Sequence, residues 1–411
     1  MAKPTIRFRG FDDEWEQRKF GELGSVAMCK RIFKEQTSPV GDIPFYKIGT
    51  FGAEPDAFIS RELFEEYKEK FQYPKIGDML ISASGTIGRT VEYDGEEAYF
   101  QDSNIVWFKH DERVDNSFLK CIYGIIKWSG IEGSTIKRLY NDNFLKTEFY
   151  MPSVAEQEKV GEYFANLDHI ITLHQRKCDE TKKLKKYMLQ KMFPQNGSKV
   201  PEIRFKGFTD EWEQRKLGDV IEKLTGGASI APDDYVDVGY RTIPKGAVNS
   251  SGVADMSGCK NVSEDFFEKN ISSKTSSGEL VTSLRDLVPT APNMGRIVRI
   301  CGETEDFLMP QGVYSIIVKE KNSEDFLITY SNSPEYRKII MAEKNGSTQV
   351  HIRNGEFLNI DIPLPSYEEQ MKIGEHFKTL DHVITLHQHK CEELKKLKIF
   401  MLQNMFTQKN K

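Results

Sequence analysis

The amino-acid sequence predicts an α+β fold, with two globular α+β domains separated by two long helices packed as an antiparallel coiled coil with internal pseudo-two-fold symmetry. Three observations predict it. A short motif and a long helical segment each occur twice in the 411 residues, and the segments between them differ. These intervening segments alternate β-like runs with turn residues and short helical stretches. Two units of about 200 residues are too few and too long for a solenoid.

The repeats divide the chain into two similar halves. Residues 4–23 and 201–220 match at 14 of 20 positions with an offset of 197. Residues 151–195 and 364–408 match at 29 of 45 positions with an offset of 213, so the second half has 16 additional residues in its middle segment. The predicted boundaries are 1–150 for the first motif and globular domain, 151–199 for the first long helix, 200–363 for the repeated motif and second globular domain, and 364–411 for the second long helix.

The globular segments carry both strand and helix signals. Each repeated motif contributes a tryptophan, Trp15 or Trp212, which we interpret as the anchor of the motif on its own unit. Apolar β-like runs bounded by Gly, Ser, Asn and Asp are typical of strands. They occur at 78–82, 104–109 and 313–319, and helical patterns occur at 62–70 and 118–128.

Each long helix has a readable start. A Pro-Ser pair opens a capping box, Ser153 with Glu156 and Ser366 with Glu369. About 40 residues follow without an internal proline, enough for a helix of roughly 60 Å. Apolar and small residues recur with a period near 3.5, so each helix needs a partner, and its own repeat is the obvious one. The predicted helix seam consists of Leu167, Ile171, His174, Cys178, Leu380, Ile384, His387 and Cys391.

The composition is that of a water-soluble protein, with 38% hydrophobic residues, 29% charged residues and a net charge of −5. No run of about 18 apolar residues and no signal peptide is visible. The six scattered cysteines form no C-x-x-C and are typical of free cytosolic thiols, so we expect a cytoplasmic protein. The charge argues against indiscriminate coating of nucleic acid but allows local basic patches. The lysine-rich stretch 176–191 is either a solvated helix face or a surface for DNA or a partner.

Motifs for catalysis or metal binding are missing from the sequence. It contains no phosphate-binding G-x-x-x-x-G-K-[ST] loop, no G-x-G-x-x-G after a strand and no Asn-Pro-Pro-Tyr or Asp-Pro-Pro-Tyr. Asp56, Glu66 and Lys68 superficially resemble a nuclease pattern, but the last two lie in a helical run and would point to different faces. His169 and His174 are spaced i, i+5 instead of the i, i+4 of a helical metal pair. We therefore predict no catalytic residue and no metal ligand.

The duplicated frame with two dissimilar inserts resembles the specificity subunits of type I restriction–modification systems, over essentially the whole chain. The most specific element is Pro-x-x-x-Glu-Gln at the start of each long helix, at 152–157 and 365–370. Residues 77–89, Gly-Asp-Met-Leu-Ile-Ser-Ala-Ser-Gly-Thr-Ile-Gly-Arg, also resemble the recognition domains of that family. The second insert departs from this pattern, with Val-Pro-Thr-Ala-Pro-Asn-Met-Gly-Arg at 288–296.

The resemblance implies that each insert is a target recognition domain that reads one half of a bipartite, asymmetric DNA site. It implies that the helices set the spacing between the halves and dock two methyltransferase subunits. The chain itself would be non-catalytic and bind no cofactor. The assembled phage-defence complex would methylate adenine with S-adenosylmethionine, or cleave DNA with ATP and magnesium through its restriction subunits. The expected partners are therefore double-stranded DNA and the methyltransferase and restriction subunits.

Candidate DNA-binding residues follow from the side chains that read base edges in the major groove, which are Arg, Lys, Asn, Gln, Ser and Thr on loops. In the first insert they are Lys47, Ser84, Thr86, Arg89, Thr135, Lys137, Arg138, Asn141 and Asn143. In the second insert they are Lys245, Asn249, Arg285, Asn293, Arg296, Thr348, Gln349, His351 and Arg353. Any of them could instead form a turn or contact phosphate. Two other classes of protein stay open: an enzyme in its own right, and a coiled-coil scaffold whose inserts bind proteins.

Overall fold

The computed structural model describes residues 3–131, 137–302 and 305–406, and the chain divides into two compact units. Unit 1 comprises residues 1–174 and 390–411, and unit 2 comprises residues 175–389. Each unit therefore contains one repeated motif, one insert, the first part of one long helix and the last part of the other. The division cuts both long helices, which the sequence-based boundaries treat as segments of their own. Among the helices in the described ranges, none is both long and apolar enough to cross a membrane.

Unit 1 is built around a four-stranded antiparallel sheet. The strands of this unit are β1 (Glu16–Lys19), β2 (Gly24–Ala27), β3 (Ile43–Tyr46), β4 (Phe58–Ile59), β5 (Met79–Ser82), β6 (Thr90–Glu92), β7 (Tyr99–Phe100), β8 (Ile105–His110) and β9 (Glu148–Met151). The helices are α1 (Arg61–Lys70), α2 (Asn116–Ile125), α3 (Asn141–Lys146) and α4 (Val154–Lys191), the last of which continues into unit 2. The main sheet has the order β2-β8-β5-β6, and smaller sheets are β4-β3-β7 and β1-β9.

Unit 2 has a matching sheet and several additional elements. Its strands are β10 (Glu213–Lys216), β11 (Ile221–Gly226), β12 (Tyr235–Val236), β13 (Tyr240–Arg241), β14 (Asn261–Val262), β15 (Lys274–Ser276), β16 (Leu280–Ser283), β17 (Arg285–Asp286), β18 (Ile297–Arg299), β19 (Asp306–Leu308), β20 (Val313–Val318), β21 (Val350–His351) and β22 (Asp361–Leu364). Its helices are α5 (Leu217–Val220), α6 (Glu264–Lys269), α7 (Glu324–Tyr330), α8 (Pro334–Glu343), α9 (Asn354–Leu358) and α10 (Tyr367–Met405), which continues into unit 1. The main sheet has the order β11-β20-β16-β18.

The two inserts share one frame although their sequences differ. Both main sheets are antiparallel throughout and connect their strands in the same order. Corresponding backbone bonds identify equivalent residues. The amide of Gly88 donates to the carbonyl of Ser82 at 3.1 Å, and the amide of Gly295 donates to that of Ser283 at 2.7 Å. The strand signals at 78–82, 104–109 and 313–319 are confirmed by β5, β8 and β20.

A tryptophan anchors each repeated motif, as the sequence predicts. In unit 1 the ring centroid of Trp15 lies 5.8 Å from that of Phe118 and 5.9 Å from that of Phe406. In unit 2 the ring of Trp212 lies 6.0 Å from Phe326 and 6.1 Å from Phe193. Both indoles are buried. Each motif therefore packs on the insert and on the end of a long helix at once.

The Glu-Gln pair of each repeat ties the start of a long helix to the rest of its unit. The guanidinium of Arg7 donates two hydrogen bonds to Glu156, both at 2.7 Å, and Arg204 does the same to Glu369 at 2.7 and 2.8 Å. Both glutamates are only 1% exposed. The S-x-x-E pattern predicts a capping role for these glutamates, whereas their carboxylates accept hydrogen bonds from the arginines of the motif. The recurrence of Glu thus follows from the recurrence of Arg.

The glutamine of each pair joins the helix to the insert. The side-chain oxygen of Gln157 accepts from the amide of Asp115 at 2.9 Å, and that of Gln370 accepts from the amide of Ser323 at 2.9 Å. Their side-chain nitrogens donate to backbone carbonyls just before the helix, at 3.0 and 2.9 Å. Both glutamines are buried, so each satisfies backbone groups that would otherwise lack a partner.

The long helices pair within each unit. In unit 1 Lys398 binds Asp168 at 2.5 Å, and the thiol of Cys391 lies 3.6 Å from the carbonyl of Ile171. Residue numbers on α10 fall as those on α4 rise, so these segments run antiparallel. In unit 2 the same arrangement is formed by Lys185 with Asp381, at 2.5 Å, and by Cys178. This agrees with the predicted antiparallel packing. Of the predicted seam, the buried residues are Leu167, Cys178, Leu380, Ile384 and Cys391, and the half-buried ones are Ile171, His174 and His387.

Gly161 lies where α4 packs closely against α2 of the insert. A Cβ atom at this position would lie 1.7 Å from the hydroxyl of Ser117 and 2.9 Å from the amide of Phe118. Replacement of Gly161 by Ala is therefore expected to destabilise the protein by about 1–3 kcal/mol in urea unfolding. Gly124 in α2 is the matched control, since a Cβ there meets nothing within 4 Å. Gly124→Ala should be neutral or stabilise by up to about 1 kcal/mol. Equal effects of the two variants would refute the close-approach explanation.

Candidate nucleic-acid interface

In unit 1 most candidate DNA-binding residues meet where the β5–β6 loop touches the segment before α3. Two backbone hydrogen bonds join these segments: the amide of Gly85 donates to Lys137 at 3.0 Å, and that of Leu139 donates to Ala83 at 2.8 Å. We call residues 83–89 and 137–143 the first edge. The exposed candidates at the first edge are Thr86, Arg89, Lys137 and Asn141, whereas Ser84 is buried.

A cleft of about 590 Å³ opens at the first edge, lined in part by Arg138, Asn141 and Asn143. The guanidinium of Arg138 donates to the side chain of Asn104 at 3.1 Å and lies over the ring of Tyr140. The amide of Asn143 donates to the carbonyl of Gly130 at 2.7 Å, so this side chain helps to shape the neighbouring turn.

The remaining candidates of the first insert lie outside the cleft or outside the described residues. Lys47 follows β3 and forms an ion pair with Asp56 at 2.8 Å. The guanidinium of Arg89 donates to the carbonyl of Phe51 at 2.7 Å, which links the β5–β6 loop to the loop that follows β3. Thr135 lies in the stretch 132–136, outside the residues that the structure describes.

In unit 2 the equivalent surface is formed by the β16–β18 loop and the segment around β21. β17, which lies in this loop, pairs with β21, so that Arg285 stands directly opposite His351. The amide of Ile352 donates to Leu284 at 3.0 Å, the counterpart of the Leu139–Ala83 bond. We call residues 284–296 and 348–353 the second edge. Five candidates line one cleft of about 590 Å³ here: Lys245, Arg285, Asn293, Gln349 and His351.

The cleft at the second edge contains two cationic side chains, Lys245 and Arg285. Among the residues that the structure describes, neither Lys245 nor Arg285 has a carboxylate within ion-pair distance. The nearby carboxylate of Asp286 accepts hydrogen bonds from the amides of Val288 and Asn293, at 3.3 and 3.1 Å, and so stabilises the loop itself. The cleft can therefore offer unpaired N–H donors to an anionic or acceptor-rich ligand.

Other candidates in unit 2 serve the fold. The side-chain amide of Asn249 donates to the carbonyls of Ala247 and Val253, at 3.1 and 3.0 Å, and so closes a turn. The guanidinium of Arg296 donates to the carbonyl of Pro292 at 2.8 Å and to the side chain of Asn332. Burial, with a smaller effect of Arg337, lowers the pKa of Arg296 to about 10. Thr348 and Arg353 are exposed, and Arg353 lies 3.8 Å from Glu356.

Several residues that line the two clefts have no signal in the sequence and are not among the predicted DNA-binding residues. Leu287 and Gln311 line the second cleft, and Leu287 is 73% exposed beside Arg285. An exposed apolar side chain at such a place can contact the methyl group of thymine. Ser103 and Tyr140 line the first cleft, and Ser103 has a φ of 55°. The sequence around Leu287 has no signal that distinguishes it from a core leucine. Among the described residues, no group of His, Cys, Asp and Glu is arranged to hold a metal ion.

The two edges differ in length at one place. Seven residues separate β5 from β6, and thirteen separate β16 from β18. Six of the 16 additional residues of the second half therefore lie in the loop that forms the second edge. Gly88-Arg89 directly precedes β6 and Gly295-Arg296 directly precedes β18, and both glycines donate to the last residue of the preceding sheet strand. The two Gly-Arg pairs therefore occupy equivalent places, a correspondence that the sequence alone left unresolved.

Comparison with known proteins gives consistent matches. The chain matches the family described as type I restriction modification DNA specificity domain over residues 12–183 and 209–396. It is 61% identical over 143 residues to a putative type I restriction enzyme specificity subunit of Haemophilus influenzae; this match spans 34% of the chain and only 37% of that relative. It is 23% identical over 346 residues to the MjaVIII specificity subunit of Methanocaldococcus jannaschii, covering 81% of the chain and 76% of that protein.

A solved structure shows the same fold. The S subunit of a type I restriction–modification system from M. genitalium superposes with a TM-score of 0.62 at 13% sequence identity. The superposition covers 99% of this chain and 100% of that one.

Proposed function

This chain belongs to the type I restriction–modification DNA specificity family, and from that premise we propose that its two units are target recognition domains that each read one half of a bipartite, asymmetric DNA site. The observation that carries the proposal is one frame with two different edges. The same sheet and the same backbone bonds present Thr86 and Arg89 at the first edge, but Arg285, Leu287 and Asn293 at the second edge. Different side chains on the same frame select different bases, so the two halves of the site should differ.

The long helices support a second part of the proposal, the docking of two methyltransferase subunits. Equivalent positions of the two helices expose large apolar side chains, which are between 38% and 56% accessible. In unit 1 they are Leu173, Leu397 and Phe400, and in unit 2 they are Leu386, Leu184 and Tyr187. Apolar side chains that recur at matching positions are suited to two copies of one partner. Restriction subunits would join through the complex.

In this proposal the chain supplies recognition and no catalytic group. S-adenosylmethionine would bind to the methyltransferase subunits, and ATP and magnesium would bind to the restriction subunits. The exposed donors of the two edges would meet base edges and phosphates, and the phosphate contacts would make binding depend steeply on salt.

Methylation-sensitive sequencing of the source cell's DNA, with the gene present and deleted, tests the proposal. We expect a methylated-adenine motif of two short blocks around an unspecified gap to disappear on deletion. Unchanged methylation, although the partner methyltransferase is expressed, would contradict the proposal and favour the protein-binding scaffold.

Replacement of Arg285 by Ala is expected to relax the recognised sequence at one position of one half-site. A bidentate arginine–base contact contributes about 1–3 kcal/mol of discrimination, or about 5- to 150-fold between the right and wrong base. The measurement is binding of the assembled complex to duplexes with single base changes. Arg215→Ala is the matched control, since Arg215 is an exposed arginine in β10 paired with Glu213. A uniform loss of affinity across all duplexes would show that Arg285 contacts phosphate.

A further inference from the structure

We propose that Tyr336 and Arg337 of α8 are positioning residues that hold the β16–β18 loop in the conformation that reads DNA. Selectivity in one half of the site would then depend on a helix behind the second edge, and selectivity in the other half would not. The inference rests on the function proposed above. Unit 1 has no counterpart of α8 among its described residues, because those between α2 and α3 contain no helix.

Three side-chain hydrogen bonds fasten the loop to α8. The guanidinium of Arg337 donates to the carbonyls of Met294 and Ala291, both at 2.6 Å. The hydroxyl of Tyr336 donates to the carbonyl of Gly295 at 2.7 Å. These carbonyls lie within five consecutive residues, 291–295, on the limb of the loop that returns to β18. A planar guanidinium and one hydroxyl therefore fix the path of this returning limb.

The backbone at the fastened position is one that alanine rarely adopts. Ala291 has a φ of 44°, in the left-handed region, and its side chain is fully buried. Such a conformation persists only where the surroundings enforce it. The hydrogen bond from Arg337 to the carbonyl of Ala291 acts at that residue, and Asp286 ties the two limbs of the loop together by accepting from the amides of Val288 and Asn293.

Electrostatics support a positioning role for Arg337. Apolar side chains could hold a loop without the free-energy cost of desolvating a charged group. The partners of the Arg337 guanidinium are neutral carbonyls, and burial lowers its pKa. Arg296 adds a second cation close by. Two partly desolvated cations are unfavourable where no carboxylate is bonded to them. What the guanidinium provides in return is a rigid pair of donors at fixed angles.

The fastened loop carries the side chains that face the cleft. Arg285, Leu287 and Asn293 all belong to it and all line the cleft of the second edge. In unit 1 the shorter loop is held by its own turn, by Lys137 and by the bond from Arg89 to Phe51. Loss of the hydrogen bonds from Tyr336 and Arg337 should therefore displace the cleft-lining side chains of unit 2 and leave those of unit 1 in place.

The test compares Arg337→Gln, Arg337→Lys and Tyr336→Phe in the full chain assembled with its methyltransferase. Lys338→Ala is the matched control, because Lys338 is the exposed neighbour on the same helix and pairs with Glu335. Binding is measured to matched duplexes and to duplexes with single base changes in either half. We expect Arg337→Gln to lower base discrimination in the half read by unit 2 by about tenfold or more, within the range of one lost base contact. Discrimination in the other half should stay unchanged.

The remaining variants separate positioning from other roles. Arg337→Lys, which keeps the charge and one donor direction, should restore part of the discrimination. Tyr336→Phe removes one hydroxyl and keeps the ring, so it decides the matter if Arg337→Gln does not fold. Equal loss in both halves, no loss in any variant, or a uniform loss with a shallower salt dependence would each overturn the inference; the last would make Arg337 a phosphate contact. Absence of selectivity in the wild-type complex would instead refute the proposed function.

Discussion

A chain in which residues 20–150 are replaced by a copy of residues 217–363 is expected to lose the first half-site completely and to recognise the second half-site twice. The sequence predicts a pseudo-two-fold relation between the repeats, so the two copies should read an inverted repeat. Because the two edges of the natural chain differ, its natural DNA target should not be palindromic. The exchange therefore converts an asymmetric site into a symmetric one.

The frame has the contacts needed to accept this exchange. β1 and β10 have the identical sequence Glu-Gln-Arg-Lys and pair in the same register with β9 and β22. At the junction the amide of Phe20 donates to Thr147, and the amide of Leu217 makes the equivalent bond to Ile360. Gln157 can bind the amide of Ser323 as it binds that of Asp115, because Gln370 already does so in unit 2.

Methylation sequencing of cells that carry the exchanged chain gives the outcome directly. The reciprocal chain, with the first insert in both places, is the matched control and should yield an inverted repeat of the other half. A direct repeat would contradict the predicted two-fold. A change in both halves after replacement of one insert would contradict the assignment of one half-site to each unit.

Replacement of Glu156 by Gln is expected to lower the free energy of unfolding by about 3–5 kcal/mol, because it leaves a partly buried guanidinium without its carboxylate. The side chain of Arg7 is only 14% exposed, and the hydrogen bonds that its guanidinium donates to Glu156 raise its pKa. The loss falls on unit 1, since both residues lie there. Urea unfolding followed by hydrogen exchange of each unit measures it.

Glu16→Gln is the matched control for this prediction. Glu16 also pairs with an arginine, Arg18, but its side chain is 63% exposed. An exposed ion pair contributes about 0–1 kcal/mol, so the control should unfold nearly as the wild type does. Comparable losses in the two variants would show that burial does not decide the strength of the Arg7–Glu156 pair. Glu369→Gln should reproduce the effect in unit 2, where Arg204 is the partner.

The sequence by itself determined the duplicated architecture. The repeats located both motifs, and the Pro-Ser signals located the starts of α4 and α10 to within three residues of the predicted boundaries at 151 and 364. Alternating apolar runs located β5, β8 and β20. These features are local: a period of 2 or 3.5 shows which face of an element is buried, and a tryptophan conserved between two repeats shows a contact made twice.

Only the tertiary structure decided which polar residues are available for recognition. Arg285 and Arg296 look alike in sequence, yet the first is exposed in a cleft and the second is tied to Pro292 and Asn332. Arg337 has no sequence signal at all, although it holds the loop from 43 and 46 residues away. Whether a donor is free depends on acceptors brought near it by distant parts of the chain. The pattern of neighbouring residues does not contain that information, so the fold must supply it.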